Sequence, residues 1–187
     1  MTTRTLPGTT LRLSAFCYGT AELGATVCGA AADRLINAFR DAGGNFLDTA
    51  HVYACWTDAG AGSSERAIAA YFRRNGGRNQ MIVATKGGHM PFASYVHSER
   101  YPSAAAIADD IRDSLARLEA AVLDFYWLHR DDPRLPVAEI IETMNAEIRQ
   151  GRIRYLGASN WQVARIAAAN AYARARVLRR RHGRPGL

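Results

Sequence analysis

The sequence lacks the features that mark membrane, secreted and disulfide-rich proteins. No apolar run is long enough to cross a bilayer, and the polar start Met1-Thr2-Thr3-Arg4-Thr5 has no apolar signal core behind it. The three cysteines, Cys17, Cys28 and Cys55, are odd in number and show no C-x-x-C spacing, which fits a reducing compartment better than a disulfide framework. We therefore expect a cytoplasmic protein with no membrane partner, and we predict no metal ligands.

Acidic residues are missing from the end of the chain, and this accounts for most of the net charge of +7. Residues 174–187 hold six arginines and no acid, whereas the other 173 residues hold 18 basic and 17 acidic groups. The body of the protein is therefore close to neutral, and we expect no specific binding of nucleic acid. Lysine is also nearly absent, since Lys86 is the single lysine.

No G-x-G-x-x-G follows the first apolar run, which weakens a dinucleotide-binding doubly wound sheet. Instead, short apolar runs alternate with amphipathic helical stretches, after a small hairpin predicted at Thr5–Leu13. Strands joined by helices run parallel with right-handed crossovers, so the pattern predicts an α/β fold that is part of a (β/α)8 barrel, with about five parallel strands. The five predicted strands are Leu13–Cys17, Asn45–Asp48, Met81–Lys86, Leu123–His129 and Arg154–Ser159.

Helix signals separate these runs. Ser63-Ser64-Glu65 can begin a helix, because an acid in the first turn complements the helix dipole. Apolar residues from Val137 to Ile148 fall on one helical face, and Gly151 is placed to end that helix. The last predicted helix runs from about Gln162 to Ala175.

Polar residues follow the apolar runs, at the positions that form the catalytic face of a barrel. Asp48 ends one run, Tyr53 follows it, and Lys86 and His129 end two others. A phenol ordinarily has a pKa near ~10, and a nearby ammonium stabilises the phenolate that a proton-donating tyrosine leaves behind. A carboxylate can hold the ammonium, and an imidazole can orient a carbonyl group. The set suits reduction of an aldehyde or ketone, with Tyr53 as general acid/base.

Taken singly, each of these residues has an ordinary structural explanation. Asp48 could cap a turn, Tyr53 could be a loop aromatic, Lys86 could be a surface lysine, and His129 could begin a polar loop. Their arrival together at successive strand ends favours the catalytic interpretation.

The ordered motifs resemble those of the aldo-keto reductase family over roughly residues 5–173. The similar segments are Gly44-Asn45-Phe46-Leu47-Asp48-Thr49-Ala50-His51-Val52-Tyr53, Gly62-Ser63-Ser64-Glu65, Ile82-Val83-Ala84-Thr85-Lys86, Asp124-Phe125-Tyr126-Trp127-Leu128-His129 and Gly151-Arg152-Ile153-Arg154-Tyr155-Leu156-Gly157-Ala158-Ser159-Asn160. The match is specific as a set, because the motifs occur in order and at sensible spacing.

The resemblance implies a nicotinamide-dependent oxidoreductase, usually with NADPH, that acts on a small-molecule carbonyl compound. It implies that Asp48, Tyr53, Lys86 and His129 form the catalytic tetrad, and that Asp48 also borders the cofactor site. It also implies cofactor contacts for Ser159 and Asn160, whose hydrogen-bonding groups match a carboxamide, and for the backbone at Gly19 and Thr20. The structural alternatives are a helix N-cap at Ser159-Asn160 and a strand-ending turn at Gly19.

The sequence departs from the family pattern in two internal segments. The stretch between Tyr53 and Ser64 is longer than usual and contains Trp56, which either lines a substrate pocket or anchors the loop. Before the histidine strand the family usually has L-G-x-D, whereas here Glu119-Ala120-Ala121 follows Leu118.

The Arg-rich end of the chain departs most from the family pattern. We expect residues 1–175 to form an incomplete barrel and residues 176–187 to be a disordered basic tail, the product of a truncated or frameshifted gene. An incomplete barrel would bind NADPH weakly or not at all, would be a poor enzyme, and would expose sheet edges that promote self-association. The alternative function is a noncatalytic remnant or a basic-tailed binding module.

Overall fold

The computed structural model describes residues 1–92, 94–96 and 103–182, and for residues 177–182 it describes the backbone only. The elements in chain order are β1 (Thr3–Thr5), β2 (Arg12–Ser14), β3 (Tyr18–Gly19), α1 (Gly29–Asp41), β4 (Phe46–Asp48), α2 (Ser63–Asn75), a 3-10 turn (Arg78–Gln80), β5 (Ile82–Gly87), α3 (Ala104–Leu118), β6 (Leu123–Leu128), α4 (Val137–Arg149), β7 (Ile153–Ala158) and α5 (Val163–His182).

The main sheet has five parallel strands in the order β3-β4-β5-β6-β7. Each strand pairs with the next one along the chain, so the order never reverses. With right-handed crossovers, an order that advances in one direction places every connecting helix on the same face of the sheet. Contacts between each helix and the next agree with this placement. The prediction of part of a barrel, with five parallel strands, is confirmed.

The N-terminal hairpin is also confirmed, but the first strand of the main sheet lies later than predicted. Residues Arg12–Ser14 belong to the hairpin, where they pair antiparallel with β1. The Ser14 amide donates to Asn45 Oδ1 at 2.7 Å, and the Ser14 hydroxyl donates to the Phe16 carbonyl at 2.6 Å. These bonds turn the chain before it joins the sheet at Tyr18–Gly19. The prediction of a strand at Leu13–Cys17 is therefore wrong.

Two helix ends show how local sequence sets the boundaries. Helix α4 ends at Arg149, and Gly151 follows with φ +73°, as its position predicted. Helix α3 ends with Glu119 in the left-handed conformation at φ 52°, where the related motif has glycine. A side chain costs energy in this conformation, because its Cβ crowds the backbone.

Helix α5 ends at His182, later than the helix end predicted at Ala175. Alanine and arginine are both good helix formers, and Arg176 donates to Glu142 of α4 at 2.6 Å. The backbone of residues 176–182 is helical rather than irregular. Residues 183–187 of the predicted tail lie outside the described residues.

The core lies between the sheet and its helices. Strand residues such as Leu47 and Val83 are buried against helix residues such as Ile36, Ile68 and Ile111. Burial of such side chains contributes roughly 1.5–3 kcal/mol each relative to exposure, which fixes the sheet that carries the polar strand ends. Across the described part of the chain, no helix combines the length and apolar character needed to span a membrane.

Candidate active site

The sheet brings the predicted catalytic residues to one edge. Asp48 is the last residue of β4, Lys86 lies near the end of β5, and His129 directly follows β6. Asp48 is in register with Ala84, and Lys86 with Trp127. Because the carboxyl ends of parallel strands meet at one rim, all three side chains lie at the mouth of the partial barrel.

Lys86 is the centre of the polar cluster. Its ammonium donates to Asp48 Oδ2 at 2.5 Å, to the Thr49 carbonyl at 2.8 Å and to the Tyr53 hydroxyl at 2.9 Å. These bonds use all three donors of the ammonium. Lys86 is buried, which costs its ammonium the contact with water. The Asp48 carboxylate and two further acceptors offset this cost. The one lysine of the chain is thus held in a single position.

The backbone that follows β4 places the Tyr53 side chain next to Lys86. The Thr49 amide donates to the Ala84 carbonyl at 2.9 Å, and the His51 amide donates to the Lys86 carbonyl at 2.8 Å. The segment therefore continues alongside β5 before it turns. The Tyr53 oxygen accepts a hydrogen bond from Lys86, and this leaves the Tyr53 hydroxyl proton available to donate elsewhere.

His129 lies beside the phenol and is neutral at ordinary pH. The ring centroids of Tyr53 and His129 are 6.1 Å apart, with the rings nearly perpendicular. Burial, together with the positive charges of Lys86, His89 and Arg130, lowers the His129 pKa from 6.5 to about 3. Its Nδ1 is buried and has no hydrogen-bond partner among the described residues. A neutral imidazole can donate to a carbonyl oxygen without protonating it.

Three buried hydroxyl groups lie next to the strand ends that carry this site. The sequence reasoning did not predict the contacts between them. Ser64 Oγ lies 2.8 Å from both Thr20 Oγ1 and Thr49 Oγ1 and donates to the Thr20 carbonyl at 2.6 Å. Thr20 Oγ1 in turn donates to the Asp48 carbonyl at 2.9 Å. The cluster ties helix α2 to the ends of β3 and β4. The G-x-S-E motif was the available signal, because it placed Ser64 in the first turn of the helix that follows β4.

A second buried network holds the neighbouring helix. Glu65 is fully buried and accepts from the Thr85 hydroxyl at 2.6 Å, while Arg117 of α3 donates to Glu65 at 3.5 Å and to the His51 carbonyl at 3.3 Å. Gly62 allows this approach, because a Cβ there would lie 2.6 Å from the Arg117 side chain. The residues next to Lys86 and Tyr53 are therefore fixed through α2 and α3.

The predicted cofactor residues lie at the same rim, in different surroundings. Gly19 is exposed and in register with Asp48, whereas Thr20 is buried and its hydroxyl is used in the cluster with Ser64. Asn160 is exposed with φ 59°, and its amide nitrogen donates to the His129 carbonyl at 3.2 Å and to Ser159 Oγ at 3.0 Å. The Ser159 hydroxyl proton and the Asn160 carbonyl oxygen leave a donor and an acceptor, which fits a carboxamide ligand.

The longer loop after Tyr53 is anchored by Cys55 rather than by Trp56. Cys55 is buried with Val52 and Tyr95, and its carbonyl accepts from the Ser94 hydroxyl at 2.6 Å. Ala54 is fully buried with φ 71°, a conformation that costs energy for a residue with a side chain. Trp56 is 50% exposed, and its ring centroid lies 6.3 Å from that of Tyr53.

Comparison with known proteins points to one enzyme family. The sequence model of the Aldo/keto reductase family matches residues 15–180. The chain is 38% identical over 151 residues to a 6-dehydroglucose reductase of Novosphingobium aromaticivorans, with 80% of this chain and 47% of that protein covered. It is 30% identical over 183 residues to an aryl-alcohol dehydrogenase [NADP(+)] of Phanerodontia chrysosporium, with 90% of this chain and 46% of that protein covered.

A solved structure supports the same fold. The glycerol dehydrogenase of Gluconobacter oxydans superposes with a TM-score of 0.72 at 28% identity, over 91% of this chain and 52% of that one. The chain thus spans about half the length of the relatives it matches.

Proposed function

Because the chain belongs to the Aldo/keto reductase family, we propose that it carries the catalytic centre of an oxidoreductase that reduces an aldehyde, a ketone or a sugar carbonyl to an alcohol. The observation that supports this most directly is the Lys86 ammonium, which bonds Asp48 and Tyr53 at once beside the neutral ring of His129. Two relatives are named as a 6-dehydroglucose reductase and an aryl-alcohol dehydrogenase [NADP(+)], and both names describe oxidoreductases.

The proposed cofactor is NADPH, since one relative carries NADP(+) in its name. Ser159 and Asn160 would hold the carboxamide of its nicotinamide, next to Asp48 and the backbone of Gly19 and Thr20. The bound cofactor supplies a hydride for the carbonyl carbon.

The side chains manage the charge and the proton on the carbonyl oxygen. Tyr53 and His129 face the same space, and both can donate a hydrogen bond to that oxygen. As negative charge develops there, Tyr53 transfers its hydroxyl proton, so the oxygen becomes an alcohol and the phenol a phenolate. The Lys86 ammonium stabilises the phenolate, and Asp48 keeps the ammonium in place. The phenolate then regains a proton from water.

The test compares Tyr53→Phe with Tyr172→Phe, which removes a phenol from the outer helix α5. Assays follow nicotinamide absorbance at saturating or near-saturating NADPH, with several aldehydes. We expect Tyr53→Phe to lower kcat by about a hundredfold or more, as for loss of a general acid, with NADPH affinity unchanged. Tyr172→Phe should reduce carbonyls like the parent. Because the chain spans about half the length of its relatives, we expect the parent to bind NADPH weakly and to turn over slowly. Saturable NADPH binding by the parent without any turnover, or full activity of Tyr53→Phe, would contradict the proposal.

Lys86→Met provides a second measurement. Because it removes the charge that stabilises the phenolate, it should change the pH dependence of kcat as well as its size. A rate loss with an unchanged pH profile would mean that Lys86 acts on folding rather than on Tyr53.

A further inference from the structure

A cavity of about 160 Å³ lies between the sheet and the helices α4 and α5. Residues of β6, β7, both helices and the turn before α5 line it, among them Leu128, Met144, Leu156, Trp161, Ile166 and Ala169. We call this space the outer cavity. Well-packed proteins contain few voids larger than one water molecule, so a space of this size is unusual. The four predicted catalytic residues do not line it.

Polar contacts on either side of the outer cavity hold helix α5 in place. Near the start of α5, Arg165 donates to both carboxylate oxygens of Asp131 at 2.8 Å. Further along the helix, Tyr172 and Arg176 donate to Glu142 of α4 at 2.9 and 2.6 Å. The residues of α5 that line the cavity occupy positions 166, 169 and 170, between these two sets of contacts. A helix that is held on both sides of a gap resists collapse into it, and so these contacts keep the cavity open.

The side chains that line the outer cavity are apolar except for those of Trp161 and Asn170. The Trp161 indole nitrogen is buried and has no hydrogen-bond partner in the part of the chain that the structure describes, whereas Asn170 is exposed. A buried water molecule is typically held by about three hydrogen bonds, and the one buried polar side chain here offers a single N–H donor. Apolar cavities of roughly 150 Å³ stay free of water and bind benzene. The outer cavity therefore suits an apolar ligand better than water.

We propose that the outer cavity is a binding site for a small apolar molecule, about the size of one aromatic ring, that carries one hydrogen-bond acceptor. The volume sets the size of the ligand, and the apolar lining favours an apolar body. The acceptor would pair with the Trp161 N–H, which is otherwise buried at a cost. The proposal is independent of the proposed carbonyl reduction, because it concerns a different space.

The site is placed to stabilise two strand ends at the rim. Leu128 and Ala158 line the outer cavity, and they directly precede His129 and Ser159 in the chain. A ligand that binds only the folded protein raises its stability, so binding should raise the thermal midpoint of unfolding.

The test uses anisole and ethylbenzene, which have the same number of non-hydrogen atoms and differ by an ether oxygen in place of a methylene group. Binding to the full chain is followed by the indole N–H resonances of the three tryptophans, each assigned through its Trp→Phe variant. We expect both ligands to shift the Trp161 resonance saturably. Trp161→Phe keeps a ring but removes the donor, so it should lower the ratio of anisole affinity to ethylbenzene affinity by about three- to tenfold. The hydration of the two ligands cancels in this comparison, because it is the same for both proteins.

The matched controls are Ala169→Leu, which fills the outer cavity, and Ala168→Leu, which adds the same atoms to an exposed position of α5. Ala169→Leu should lose the binding of both ligands, whereas Ala168→Leu should bind them like the parent. If Ala169→Leu does not fold, the smaller Ala169→Val should still weaken binding.

Four outcomes would overturn the proposal. They are the absence of a saturable Trp161 shift up to the solubility limit of the ligands, a shift confined to Trp56 beside Tyr53, binding that survives the filling of the cavity at Ala169, and an unchanged affinity ratio in Trp161→Phe.

Discussion

Mild acid should destabilise this fold through His129, and His129→Gln should remove much of that loss. In the unfolded chain the imidazole has its ordinary pKa of 6.5, whereas in the fold burial and the positive charges of Lys86, His89 and Arg130 lower the pKa to about 3. Between these two values the unfolded state takes up a proton that the folded state does not. Stability is therefore unaffected above pH ~6.5 and falls as the pH drops below it.

The expected size follows from the difference in proton binding. At about pH 5 the unfolded imidazole lies roughly 1.5 units below its ordinary pKa, and each unit is worth about 1.4 kcal/mol, so the loss is about 2 kcal/mol. This is a large part of the roughly 5–15 kcal/mol that stabilises a typical domain. Glutamine has a similar length and stays neutral, and so His129→Gln should lack this contribution.

The assay is urea unfolding of the parent and of His129→Gln at about pH 7.5 and pH 5. Other titrating groups contribute equally to both proteins, so the difference between the two pH-dependent losses isolates His129. We expect the parent to lose about 2 kcal/mol more than the variant. Equal losses would mean that His129 is protonated in the folded protein. Proton NMR of the His129 ring gives an independent check, because its resonances should not titrate between pH ~7 and ~5.

Three further outcomes follow from the packing. Ser64→Ala should lower the free energy of unfolding by about 1–3 kcal/mol in urea denaturation, because it leaves the buried hydroxyls of Thr20 and Thr49 without their partner. An unchanged free energy of unfolding would show that the hydroxyl cluster does not stabilise the fold. Glu119→Gly should raise the free energy of unfolding by about 0.5–1 kcal/mol, because glycine adopts the left-handed conformation without strain. The variant also loses the ion pair with Arg73, but this pair is exposed and contributes little. A decrease in the free energy of unfolding would show that the ion pair outweighs the strain. Deletion of residues 183–187 should leave the thermal midpoint of unfolding unchanged. Deletion of residues 176–187 should lower the midpoint slightly, because it removes the Arg176–Glu142 bond. A large drop on deletion of residues 183–187 alone would show that these residues stabilise the fold.

The sequence alone determined the order of strands and helices and the identity of the polar residues at the strand ends. Apolar runs bounded by Asp48, Lys86 and His129 are local signals, because the alternation of buried strands and amphipathic helices is written into neighbouring residues. Parallel pairing then requires the strand ends to meet at one rim. The convergence of these residues could therefore be predicted before any coordinates.

Other features depended on contacts between distant parts of the chain, which a local pattern does not encode. The apolar run at Leu13–Cys17 looked like a strand, but the bond from Ser14 to Asn45 turned it before the sheet. The last helix continues to His182, beyond the end predicted at Ala175, and Arg176 within this extension donates to Glu142 of α4.

Tertiary structure also decided how the site is held. Ser64 meets Thr20 and Thr49 because α2 packs against two strand ends, and the loop that contains Cys55 is held by the hydroxyl of the distant Ser94. Hydrogen bonds and ring contacts of this kind require side chains to approach within a few ångströms from remote positions in the sequence. The sequence thus determines which polar residues lie at the strand ends, and packing determines their directions, their partners and the surface that surrounds them.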